Sequence, residues 1–137
     1  MDFIEYPDEE CSEMYDKINN EIKNTFLEYK NGFLISEECE NNKMSLILID
    51  TVKYIIYNID KENIKKLIKC LYHNRISQKY HALWDAYRSD LFIYWKRYHE
   101  NTHPMIHHNI SKKENEWNYM LLCVTRMLTI IANINCL

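Results

Sequence analysis

The segment YWKRYHENTHPMIHHNISKKENEW, from Tyr94 to Trp117, places four of the chain's six histidines within ten residues: His99, His103, His107 and His108. Imidazoles four residues apart share one face of a helix, so His99, His103 and His107 could hold a zinc ion with Glu100 or His108 as fourth ligand. Pro104 works against that arrangement. It removes a helical hydrogen bond at its own nitrogen and pushes His103 toward extended backbone, so His99 is expected to end a helix and the others to lie in a polar loop. The sequence His107-His108-Asn109 also suggests a nuclease motif of the His-Asn-His type, but the glycines and strand pair that frame such a motif are missing. A metal-binding or hydrolytic role for the His99 to His108 segment is therefore the alternative reading, and loop histidines the favoured one.

Other chemistry is thinner. The five cysteines, Cys11, Cys39, Cys70, Cys123 and Cys136, share no C-x-x-C spacing and fall mostly on apolar helical positions, where thiolate formation is disfavoured. Their odd number and placement point to free thiols in a reducing compartment. Paired Glu-x-x-His motifs, which ferritin-like metal sites need, are absent. Glu37, Glu38 and Glu40, behind Ser36, read as a solvated helix start. No catalytic residue, metal ligand or cofactor site is assigned.

Composition bounds the rest. A chain of 137 residues suits one domain, residues 1–137, with a self-sufficient core. One glycine and two prolines leave little material for hairpins and tight strand turns, which favours helices. The formal charge of −3, with Lys and Arg scattered along the chain, leaves no footprint for nucleic acid. The N-terminal MDFIEYPDEE lacks the basic and apolar regions of a signal peptide, and synthesis in the cytosol is expected. Abundant Asn, Ile, Lys and Tyr is what AT-rich coding produces, as in some large DNA viruses and certain microbes.

Five helices must position these residues. The first is expected from Glu9 to Asn31, capped by Asp8 and closed by Asn31-Gly32, with Met14, Ile18, Ile22, Phe26 and Tyr29 on one face. The second carries Met44, Leu48, Val52, Ile55 and Ile59, widened by Ile47 and Ile56; its SLILIDTVKYIIY could also read as a strand, but strict alternation is missing. Asp60 caps a third with Ile64, Leu67, Ile68 and Leu71, ending near His73-Asn74. The fourth, Ser77 to His99, repeats Tyr80, Leu83, Trp84, Tyr87, Leu91, Tyr94, Trp95 and Tyr98 at helical spacing. The fifth starts at a Ser111/Glu114 capping box and carries Trp117, Met120, Leu121, Val124, Leu128 and Ile131. Apolar nearly all round, it could be a membrane anchor, but Arg126 near its middle costs about 2.5–3.5 kcal/mol on insertion scales, so a buried helix and no stable membrane insertion are expected. Ile55, Leu67, Trp95, Leu121, Val124 and Leu128 are expected in the core.

With the helices in this order, the chain resembles the small viral Bcl-2-like proteins, especially the poxvirus branch that modulates host innate signalling and apoptosis. IKNTFLEYKNG resembles the opening helix of that branch, written around Leu-x-x-Tyr-Ile-x-Trp, with Phe26, Leu27 and Tyr29 at similar positions. KENIKKLIKCLYHN is similar to its short groove-side helix, LFIYWKRYHENTHP resembles the central helix with Tyr94 and Trp95 as its Tyr-Trp pair, and WNYMLLCVTRMLTII looks like the closing helix. The chain departs from the family at Asn-Trp-Gly-Arg, whose arginine pairs with the bound pro-apoptotic helix: in LWDAYRSD, Trp84 is followed by Asp85. The resemblance implies an all-α bundle with a central helix and a non-enzymatic protein of the host cytoplasm. It further implies capture of an amphipathic host helix in a groove, with Leu48, Val52, Ile55, Leu67, Leu71, Leu83 and Tyr87 as candidates. Eleven tyrosines and three tryptophans exceed what a small core readily uses. A homodimer is therefore expected through at least one of Tyr15, Tyr80, Trp84 or Tyr98.

Overall fold

Asp8 starts the first helix: its carboxylate accepts the Cys11 backbone N–H at 2.8 Å and its carbonyl accepts from Ser12 at 3.1 Å. These bonds satisfy two of the amides that a helix start leaves without partners. The computed structural model describes residues 4–31, 48–100 and 110–134, and among them the chain is all-α apart from one short ribbon. Helix α1 runs Glu9–Asn31, the bounds that its periodicity predicts. Its buried stripe is Cys11, Tyr15, Ile18, Ile22 and Phe26, so Met14, expected on that face, sits half-buried at its edge.

Residues 48–57 form helix α2, so the LIDTVKYIIY part of the stretch that could also read as a strand is helix, and residues 45–47 of it lie outside the described residues. Leu48, Val52, Ile55 and Ile56 are buried, whereas Tyr54 and Tyr57 are exposed. Helix α3 spans Lys61–His73; the Asp60 carboxylate accepts from the Asn63 backbone at 2.8 Å and from its side-chain amide at 2.8 Å. Ile64, Leu67, Ile68 and Leu71 form its buried stripe as expected, and Cys70 joins them. The backbone N–H of Asn74 then closes the helix on the Leu71 carbonyl at 3.3 Å.

Two features contradict the sequence reading. A two-residue strand β1 (Ile4–Glu5) pairs antiparallel with β2 (Arg75–Ile76), Ile4 opposite Ile76 and Glu5 opposite Arg75. Two residues per strand are too few to leave a periodicity of 2 in the sequence. A disulfide also joins Cys11 to Cys70, with Cα atoms 5.7 Å apart, tying the first turn of α1 to the end of α3. Both cysteines do lie on buried stripes, but the stripes face each other, and a shared face is what brings distant sulfurs within bonding reach. Cys123 is a free buried thiol, and Cys39 and Cys136 lie outside the described residues.

Helix α4 spans Gln78–Glu100 and helix α5 Ile110–Ile134. They form the most extensive helix pairing, and the register is antiparallel: Tyr98 meets Trp117 at 5.3 Å, Tyr94 meets Tyr119 at 5.1 Å, and Arg126 lies 5.7 Å over the Tyr87 ring. On α4 the inward row is Tyr80, Trp84, Tyr87, Leu91, Tyr94 and Tyr98, alternating steps of four and three, as in paired helices. Only Trp84, Leu91 and Tyr98 of that row are buried; Leu83 faces out, and Trp95, expected in the core, is only partly covered. The enclosed helix is α5, the segment read as the closing helix, with Met120, Val124, Met127, Leu128, Ile131 and Ala132 at 0% exposure. Charge decides this difference: α4 carries Asp85, Arg88, Asp90, Lys96 and Arg97, which hold most of its surface in water.

Helix α5 begins at Ile110, one residue before the Ser111 expected as its cap, and the Ser111 side chain lies outside the described residues. Thr125 and Thr129 satisfy their hydroxyls by donating to the carbonyls of Leu121 and Thr125, each at 2.8 Å. Among the described residues no helix is long and apolar enough to cross a membrane. Gly32, Met44, Ile47 and the acidic run Glu37 to Glu40 lie outside the described residues.

Candidate functional site

Of the histidine segment, the structure places His99 alone; His103, His107 and His108 lie outside the described residues. The His99 ring packs edge-on against Trp95 at 4.4 Å and Tyr98 at 5.4 Å. Partial burial, then the ammonium groups of Lys65, Lys113 and Lys69, hold its pKa below the usual histidine range. Among the described residues no three His, Cys, Asp or Glu side chains converge as a metal site would require.

The seven groove candidates separate by burial. Leu48, Val52, Ile55, Leu67 and Leu71 are interior side chains, Leu83 is 46% exposed and Tyr87 is half-buried under Arg126. Among the interface candidates, Tyr15, Trp84 and Tyr98 are covered within the protomer and Tyr80 is partly exposed. Besides Leu83, the large apolar side chains exposed among the described residues are Ile49, Tyr54 and Tyr57 on α2, Tyr72 on α3, Phe92 and Ile93 on α4, and Tyr119 on α5.

Two of these define a concave site. Helices α3 and α4 leave between them an apolar groove of about 180 Å³ lined by Ile68, Lys69, Tyr72, His73, Leu91, Phe92 and Trp95. Tyr72 and Phe92 both line it and contact each other, with ring centroids 5.9 Å apart, at 37% and 51% exposure. The Arg88 guanidinium lies 5.6 Å over the outer Tyr72 ring. Its charged lining residue is basic: Lys69, which has no ion pair among the described residues. The periodicity of α3 already marks Ile68, and the signal for Phe92 is an aromatic residue set just off the inward row of α4, where solubility alone would favour a polar one.

A second, more polar cleft of about 410 Å³ lies where the ribbon meets the first turns of α4, lined by Glu5, Asn74, Arg75, Ile76, Gln78, His81, Trp84, Asp85 and Arg88. Asp85 draws in His81 at 3.4 Å and Arg88 at 3.3 Å. Asn74 and Trp84 are each 1% exposed, yet both polar atoms of the Asn74 amide and the Trp84 indole N–H have no hydrogen-bond partner among the described residues. A buried polar group left unpaired costs about 1–3 kcal/mol, so this end of the molecule carries unspent hydrogen-bonding capacity. Tyr15 stacks on Tyr6 at 5.1 Å, and burial and then Tyr6 push its phenol well above the usual range. The Asn74 amide opposes that rise from nearby, although the two groups do not meet the geometry of a hydrogen bond.

No known family model, curated protein or solved structure matches this chain.

Proposed function

We propose that the protein is a non-enzymatic interaction module of the viral Bcl-2-like kind its helix order resembles, and that it takes an amphipathic helix of a host signalling or death-regulating protein. The observation that carries this reading is the α3–α4 groove, whose walls are apolar and whose aromatic residues Tyr72 and Phe92 stand in water. Exposed aromatics beside a concave apolar surface are what a helix-in-groove partner buries. The site differs from the one the resemblance implied: Leu48, Val52, Ile55, Leu67 and Leu71 are buried in the core, and Ile68, Tyr72, Leu91, Phe92 and Trp95 line the groove. Lys69 at its rim, without an ion pair among the described residues, selects a partner helix with an acidic residue flanking its apolar stripe.

The reading places the protein in the host cytoplasm on composition alone, and the Cys11–Cys70 disulfide bears against that part, because disulfides persist in oxidising compartments. The binding test uses a labelled model peptide with leucines at i, i+3, i+4 and i+7 and glutamates on the flanks. Saturable binding, weakened roughly tenfold or more by Phe92→Asp and by Lys69→Glu without loss of helicity, is the expected result. Equal binding by the variants overturns the groove assignment. Stoichiometric zinc in the purified protein, lost in the His103→Ala/His107→Ala variant, overturns the reading in favour of the metal-binding alternative.

A further inference from the structure

We propose that the cleft between the β1–β2 ribbon and the first half of α4 is a second binding site, for a small ligand that joins a planar donor–acceptor edge to an anionic group. Gln78, His81, Asp85 and Arg88 follow one another at steps of three and four and so share one face of α4, opposite Glu5 and Arg75 on the ribbon. The cleft's volume of about 410 Å³ falls in the range of small-molecule sites. Its most buried polar members are the unpaired ones. Asn74 spends its backbone N–H in closing α3, and among the described residues neither its side-chain amide, which lies near the Tyr15 hydroxyl, nor the Trp84 indole N–H meets a hydrogen-bond partner.

The chemistry of these groups defines the ligand. A carboxamide offers one acceptor and one donor side by side and pairs best with a group that presents the reverse pattern, such as an amide or the edge of a nucleobase. The indole N–H adds a donor for a second acceptor on the same molecule. At the rim, Arg88 is held by Asp85, while Arg75 has no ion pair among the described residues and supplies the cation for a carboxylate or phosphate. Nucleoside monophosphates and N-carbamoyl amino acids, whose terminal urea presents an N–H beside its C=O, share this combination.

The indole N–H of Trp84 is itself the reporter. In ¹⁵N-labelled protein the chain's three tryptophans give separate indole signals, and Trp84→Phe identifies the relevant one. Adenosine 5′-monophosphate, N-carbamoylglycine and inorganic phosphate are titrated in turn. A saturable shift of the Trp84 signal at millimolar concentration or below, with either organic probe and not with phosphate, is expected; whichever probe acts identifies the source of the edge. Asn74→Leu abolishes the shift while the Trp95 and Trp117 signals stay in place. Should that variant fail to fold, Arg75→Ala on the exposed ribbon decides, with about tenfold weaker binding expected. No shift with either organic probe, the same shift with phosphate alone, or a shift that survives both substitutions overturns the proposal.

Discussion

Reducing the Cys11–Cys70 disulfide removes the covalent tie between the start of α1 and the end of α3 without altering any side chain that packs there. The bond closes a loop with a sequence separation of 59 residues. In the chain-entropy treatment a loop of that length restricts the unfolded state by about 14 cal/mol/K, or about 4 kcal/mol at 25 °C, within the 2–5 kcal/mol found when native disulfides are removed. Against a total stability of about 5–15 kcal/mol this is a large share. Reductant has a route: a surface cleft of about 220 Å³, lined among others by Pro7, Lys66, Lys69 and His73, reaches both cysteines. With a urea m-value of about 2 kcal/mol per molar, reduction lowers the unfolding midpoint by about 2 M. Cys11→Ala/Cys70→Ala reproduces the loss and makes the midpoint insensitive to reductant. Intact mass before and after reduction establishes the bond independently. If Cys11 and Cys70 alkylate in the native protein without reductant, or if reduction leaves the midpoint in place, the facing of α1 and α3 at these positions is wrong.

Leu128→Ala, at a site with no exposed surface, costs about 2–5 kcal/mol in denaturant unfolding; a loss of under about half a kilocalorie, typical of surface sites, would mean α5 is not enclosed. His99, held low by partial burial and by Lys65, Lys113 and Lys69, takes up a proton less readily in the fold than in the unfolded chain. Its contribution to stability is therefore complete above the ordinary histidine pKa and falls as pH drops from that value through the lowered one. An NMR titration of the ring shows the low midpoint, rising in high salt as the lysine charges are screened. Burial and Asp90 push the Cys123 thiol up to about 11, so it resists alkylation at neutral pH until the protein is unfolded. We also propose a homodimer. Because Tyr15, Trp84 and Tyr98 are covered in the protomer, Tyr80 is the expected interface residue left partly exposed, and sedimentation across a wide concentration range, with Tyr80→Ala as the breaking variant, tests it.

The helices were legible because each carries its own instructions. Asp8 and Asp60 stand where the first amides need an acceptor, and the apolar spacing of α3 and α5 repeats with the helical turn, so bounds and buried faces follow from local chemistry. What the sequence could not decide depends on which faces meet. Cys11 and Cys70 look like two small hydrophobes until α1 and α3 are set against each other, and only then do they become a bond. The ribbon is too short to leave a periodic trace, yet it lines one cleft with Asn74 and Trp84, whose buried polar atoms meet no partner among the described residues. The aromatic row of α4 predicts a buried face but not its extent. Trp84, Leu91 and Tyr98 are covered and Phe92 is left in water because α5 lies along one side of α4, and the other side meets α3 only far enough to leave a groove. Periodicity reports which residues prefer to leave water; how many can do so is settled by the area that neighbouring helices have to offer.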